Sequence, residues 1–209
     1  MDYKMLSVYP LISTSDQTDY LKYPYIAGNV LSAVLPEQAA VWSYPVGVGQ
    51  VGSPLSKEYD KAWVAKHISN DRIVMNMVNS FLGRMHLASH LELLSASQLA
   101  LVKEGVVYYN SLTEAKKKAL PYFPNGFTAF GEENVVAGFK TEDKIYLAAW
   151  CLSGSTCVTV PIEEGINGVR VGYPSNTNVQ ALVKDGVLQL DFERVGQAVF
   201  LELTLGEVL

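Results

Sequence analysis

Leu6-Ser7-Val8-Tyr9-Pro10-Leu11-Ile12-Ser13-Thr14-Ser15-Asp16-Gln17-Thr18-Asp19-Tyr20 is the stretch on which the reading of this chain turns. An apolar run, Leu6 to Ser13, stops at small hydroxyl residues and two carboxylates, and a helix-prone stretch follows. The run predicts a buried strand. In parallel α/β folds catalytic groups project from the carboxyl ends of the strands, so acids at this point mark a candidate active site. A second reading uses the same residues structurally, because Ser, Thr and Asp are the usual N-caps of helices. Position alone leaves both open for Asp16 and Asp19.

Outward from this stretch, apolar runs alternate with segments of helical period. Tyr20 to Leu35 predicts a weak helix, broken by Pro24 and stopped by Pro36. Ala39 to Tyr44 predicts a second buried strand, ended by Pro45 and a glycine-rich loop from Gly47 to Gly52. Between Lys57 and Leu82, Val64, Ile68, Val74, Val78 and Leu82 recur at roughly helical spacing, with Ser69-Asn70-Asp71 as a break or new cap. Met85 to Ser89 predicts a third strand. Ser95 then caps a helix to about Leu120 that carries Leu99, Val102, Val106 and Tyr109 on one face. This is the rhythm of a parallel α/β sheet.

After Pro121-Tyr122-Phe123-Pro124-Asn125-Gly126 the period falls to two. Ile145–Trp150, Val158–Val160, Val169–Val171, Leu188–Phe192 and Val199–Leu203 predict short strands, separated by turns such as Ser153-Gly154-Ser155 and Lys184-Asp185-Gly186. Short strands at this spacing predict an antiparallel sandwich.

Of the 209 residues, 49% are apolar and 18% charged, the balance of a core-forming globular chain. The net charge of −5 and the single Lys116-Lys117-Lys118 cluster, read as the solvated end of a helix, argue against nucleic acid as a partner. No apolar run is long enough to span a membrane, and the amino terminus has no export pattern, so a cytoplasmic location is the default expectation. Cys151 and Cys157 flank a predicted turn, where they are read either as cross-strand neighbours or as two buried thiols in a reducing compartment. No His/Cys/Asp set has metal-ligand spacing and no glycine-rich phosphate loop occurs, so no cofactor is expected. His67 and His90 are read as helix-surface or capping residues, and Trp63 and Trp150 as core.

A complete α/β barrel takes about 250 residues, some thirty per strand–helix unit. Roughly the first 125 residues here precede the sandwich, enough for three or four units. The chain therefore holds either a small open α/β layer or the last part of a larger catalytic domain.

Four stretches, in order, make the sequence resemble the C-terminal part of clan D α-galactosidases, the melibiase-like family-36 glycoside hydrolases. Ser13-Thr14-Ser15-Asp16-Gln17-Thr18-Asp19 resembles the segment that ends the sixth barrel strand of that family. Leu35-Pro36-Glu37-Gln38-Ala39 resembles the approach to the seventh strand, and Asn76 to Leu87 the eighth-strand region. Leu94-Ser95-Ala96-Ser97-Gln98 to Tyr108 resembles the final barrel helix. The fold this implies is α/β plus all-β: strands six to eight of a (β/α)8 TIM barrel with their helices over residues 1–122, then an antiparallel β-sandwich over 123–209.

The resemblance implies retaining hydrolysis of α-galactosides or related oligosaccharides by two carboxylates about 5–5.5 Å apart. Asp16 takes the place of the general acid/base, and Asp19 that of a helix cap or supporting group near the sugar. Trp42 is read as a sugar-stacking platform or a core residue, with Tyr44 and His86 at neighbouring strand ends. The family's nucleophile comes from a Lys-x-Asp element on the fourth strand, for which this chain has no counterpart. The family's sugar-contacting Arg aligns with Tyr23, beside Lys22, and its seventh-strand His with Ser43-Tyr44. The expected partner is the N-terminal half of the enzyme or a second copy of the chain. Two other readings remain: a carbohydrate-binding or interaction module carried by the sandwich, and an inactive product of a split gene.

Overall fold

The computed structural model describes residues 8, 11–15, 17–46 and 61–206. Most of the first predicted strand, the Gly47–Gly52 loop and the start of the 57–82 helical segment lie outside the described residues. The first half contains β1 (Ile12–Ser13), α1 (Tyr23–Val30), β2 (Ala39–Ser43), α2 (Lys61–His67), α3 (Asn70–Phe81), β3 (Arg84–Leu87), α4 (Ala96–Ser111) and α5 (Thr113–Lys116). Its strands form one parallel sheet in the order β1-β2-β3, with Ser13 opposite Ala40 and Trp42 opposite His86.

The helix boundaries follow local chemistry. Ser69 is the N-cap of α3, its hydroxyl accepting from Arg72 N–H at 3.1 Å, which makes the Ser69-Asn70-Asp71 break a recap. Ser95 and Gln98 form a reciprocal capping box on α4, and Gln98 Nε2 also donates to the Ile68 carbonyl at 2.7 Å. Such a cap stabilises a helix by about 1 kcal/mol. Pro24 does not break α1 as expected. It occupies the first turn, where no intrahelical N–H is required. The helix expected to run from Ser95 to about Leu120 ends at Ser111, and α5 follows after one residue.

The second half contains β4 (Leu120–Tyr122), β5 (Asn134–Lys140), β6 (Lys144–Cys151), β7 (Cys157–Pro161), β8 (Ile166–Tyr173), β9 (Gln180–Lys184), β10 (Val187–Asp191) and β11 (Gln197–Leu205). They form two antiparallel sheets, β4-β5-β6-β11-β8 and β7-β10-β9. The five strands expected are all present; β4, β5 and β9 were not foreseen. β4 falls before the boundary drawn at residue 122, yet it pairs with β5.

Two cores meet at the larger sheet. Ile145, Leu147, Ala149 and Cys151 of β6 pack with Val158, Leu188 and Leu190 inside the sandwich. The alternate residues Tyr146, Ala148 and Trp150 pack the other way, in one core with Met77, Phe81 and the helices. α3 runs between the parallel sheet and the larger antiparallel sheet, buried from Ile73 to Phe81. Phe81 meets Tyr173 and Phe200 edge-on, at ring centroid distances of 5.1 and 5.4 Å. Each side chain of this size, fully buried, contributes roughly 1.5–3 kcal/mol, so the two halves are joined by substance rather than by a linker.

A polar latch adds to this junction. The Glu202 carboxylate accepts from Tyr108 Oη at 2.9 Å and Arg170 at 2.6 Å, with Lys144 at 3.3 Å. Burial raises the Glu202 pKa, but these donors together outweigh it and hold the carboxyl below its ordinary range.

Lys116 corrects the reading of the lysine triplet. Its ammonium is not solvated: the side chain is 4% exposed, donates to the Gly83 carbonyl at 2.8 Å and lies 4.0 Å from the Tyr109 ring centroid. Cys151 and Cys157 are both free, the first buried and the second exposed, so neither reading of the pair holds in full. Trp150 is fully buried, as expected of a core residue, and Trp63 stacks on His67 at 4.6 Å.

Candidate functional site

Strand pleating sorts β2 into two faces. Ala39, Val41 and Ser43 are fully buried or nearly so on the helix side, where the Ser43 hydroxyl reaches Met77 Sδ at 3.6 Å. Ala40, Trp42 and Tyr44 alternate to the opposite face.

This face carries an aromatic cluster near the carboxyl ends of the strands. The Trp42 and Tyr44 rings are almost parallel, 6° apart, at a centroid distance of 5.9 Å. His86, the ladder partner of Trp42, brings its ring to 4.9 Å. The indole Nε1–H donates to Ser13 Oγ at 3.2 Å, which ties the ring to the end of β1. Trp42 and His86 are half-buried, Ser13 is exposed and Tyr44 is buried. Trp42 is partly buried and packs against the margin of the core.

The loops are pinned around this cluster. Asn76 Oδ1 on α3 accepts from Tyr44 N–H at 3.2 Å. Ser89 Oγ, past the end of β3, accepts from Val46 N–H at 2.8 Å. Backbone donors at the strand ends are thus used by side chains, and the residues following β2 and β3 are held together.

The sequence-predicted residues divide. Trp42, Tyr44 and His86 come together in one cluster. Asp19 has its contacts within its own turn: Oδ1 accepts from Leu21 N–H at 3.0 Å, and Oδ2 lies 3.5 Å from Lys22 Nζ. Asp16 lies outside the described residues. Ser13, Thr14 and Tyr23 were not among the candidates, although the three consecutive hydroxyls at the strand end were the available signal. His67 bonds the Trp63 carbonyl and His90 pairs with Glu92. Among the described residues no group of His, Cys, Asp and Glu has the geometry to hold a metal ion, and no helix is long and apolar enough to cross a membrane.

A half-exposed indole with its N–H fixed, flanked by an imidazole and a hydroxyl, offers an apolar plate beside polar groups. Such a plate suits a flat apolar ligand face with hydroxyls at its edge.

No protein-family model and no curated protein matches this sequence. Solved structures do. The galactosidase domain of the α-galactosidase–sucrose kinase AgaSK is similar at a TM-score of 0.63 and 15% identity, over 96% of this chain and 27% of that one. The GH36 α-galactosidase AgaA from Geobacillus stearothermophilus gives 0.63 and 11%, over 96% and 26%. An α-galactosidase from Lactobacillus brevis gives 0.57 and 12%, over 91% and 25%. The likeness is one of fold, and the chain spans about a quarter of the length of these proteins.

Proposed function

We propose that this chain is the C-terminal part of a retaining, α-galactosidase-like glycoside hydrolase. Residues 1–122 then supply the sixth to eighth strands of a catalytic TIM barrel, and the sandwich closes it from behind. The observation that carries the reading is the Trp42–Tyr44–His86 cluster. It sits on one face of a parallel sheet, tied through Ser13 to the strand that leads into Asp16. The fold likeness to α-galactosidases over nearly the whole chain supports it.

In this reading Trp42 stacks on the apolar face of a terminal galactose, and His86 and Tyr44 stand at its rim. Asp16 protonates the departing glycosidic oxygen and then removes a proton from the attacking water. The carboxylate that attacks the anomeric carbon comes from the upstream half of the enzyme. Two carboxylates and water complete the chemistry, so no cofactor takes part. The polypeptide partner is that upstream half or, failing it, a second copy of the chain, either of which would cover the open strand edges. The cell compartment in this reading is the cytoplasm.

The test is hydrolysis of p-nitrophenyl α-galactoside. The chain alone is expected to be inactive, and the chain recombined with its upstream half active. Activity of the recombined enzyme that is unaffected by loss of both Asp16 and Trp42 would refute the reading.

A further inference from the structure

The structure assigns Tyr23 the role of a positioning residue that holds Trp42 in register with the end of β1. This rests on the reading of Trp42 as the sugar platform. Thr14 N–H donates to the Ala40 carbonyl at 3.1 Å, the last backbone bond of β1 onto β2. In a parallel ladder the next bond would run from Trp42 N–H to the Thr14 carbonyl. It does not. Trp42 N–H donates instead to Tyr23 Oη, at 2.8 Å.

Thr14 Oγ1 donates to the Ala40 carbonyl at 2.8 Å and lies 3.3 Å from Tyr23 Oη. The Tyr23 hydroxyl therefore stands between Trp42 N–H on β2 and the Thr14 hydroxyl at the end of β1. Tyr23 is 2% exposed, at the start of α1 and beside Pro24, so its ring cannot swing away. The tyrosine thus replaces a ladder bond just where the chain leaves β1 for the carboxylate segment. It fixes the backbone that aims the indole.

The first arm uses the chain as it stands. In 15N-labelled Tyr23→Phe, hydrogen exchange of the Trp42 amide should accelerate about tenfold, the counterpart of one net hydrogen bond, while Val41 and Ser43 stay near their original rates. Thr14→Ser should behave as the parent chain, since it keeps the hydroxyl. Equal acceleration at all three amides, or none at Trp42, would overturn the assignment.

The second arm uses the chain recombined with its upstream half. Tyr23→Phe should raise KM for p-nitrophenyl α-galactoside about tenfold with kcat within about twofold, the pattern of lost uniform binding. If Trp42→Ala raises KM but Tyr23→Phe does not, the positioning role fails. If Trp42→Ala itself leaves KM unchanged, the platform reading fails, and the exchange arm alone then judges the clamp.

Discussion

Trp42 and His86 are direct partners across the β2–β3 ladder, with ring centroids 4.9 Å apart. In parallel strands, paired residues share a face, so the contact follows from register and would be lost by a one-residue slip. The indole is held on three sides: His86 at one edge, Tyr44 stacked against it, and Ser13 on its N–H.

Trp42→Ala should therefore separate binding from folding. The ring is half-buried, so its loss should cost about 1–3 kcal/mol of stability, measurable as a lower urea midpoint with unchanged slope. In the recombined enzyme KM for an α-galactoside should rise at least about tenfold, a factor equal to 1.4 kcal/mol. Trp42→Phe should keep most of both. A core residue would show the stability loss without the change in KM.

Gly83 sets the spacing between β2 and β3. A methyl group placed on it would overlap the Ala39 carbonyl oxygen and Val41 Cγ2, neither of which can move without displacing β2. Gly83→Ala should destabilise the chain by about 2 kcal/mol or more, within the range for overpacking a rigid site. It should also broaden the Trp42 and His86 resonances, because their register depends on the same spacing. Equal midpoints for Gly83→Ala and the parent in urea would show that β2 yields more easily than its burial indicates.

Lys116 links the chain's stability to pH. Burial pushes its amine well below the ordinary lysine range. The Gly83 carbonyl and the Tyr109 ring favour the ammonium, but they do not offset the loss of water. In the unfolded chain the amine titrates near 10.4. Below that pH the unfolded state binds a proton that the folded state binds less readily, so stability is lost as pH falls from about 10.4 towards the folded pKa. Urea midpoints in the parent chain should rise with pH as it approaches about 10.4 from below. In Lys116→Met this contribution should vanish. Parallel pH profiles for the two proteins would contradict the assignment.

The helices of this fold were legible where apolar spacing and a cap coincide. α3 and α4 announced themselves by apolar spacing and by Ser69 and Ser95, because a cap is a local interaction written in neighbouring residues. β5 was missed because it carries neither a cap nor a period-two alternation. Val135, Ala137 and Phe139 face the helical core and Val136 the sandwich, so Asn134-Val-Val-Ala-Gly-Phe-Lys140 lacks a polar alternate face. Lys116 was misread because what receives it, the Gly83 carbonyl, lies 33 residues away in sequence. The cluster residues Trp42, Tyr44 and His86 could be picked out as strand-end aromatics. Tyr23 stood out only as the position of the family's Arg; its bond to Trp42 N–H was not legible, since it takes a backbone N–H that the ladder leaves to it.

The last prediction concerns Asp16, read as the acid/base. An acid catalyst matters in proportion to how badly the leaving group needs a proton. In the recombined enzyme, Asp16→Asn should abolish hydrolysis of oligosaccharides such as raffinose, whose departing alkoxide is a poor leaving group. Aryl α-galactosides with acidic phenols depart with little protonation, so formation of the glycosyl-enzyme should suffer far less. Its hydrolysis should then become limiting, because the same residue activates the water. Azide, which needs no base, should restore turnover and yield a glycosyl azide of retained α configuration. Asp19→Asn should do none of this: its carboxylate serves Leu21 N–H and Lys22, and its loss should show as a modest drop in melting temperature. If Asp19→Asn gave the azide-rescued phenotype and Asp16→Asn did not, the two carboxylates would have to exchange roles.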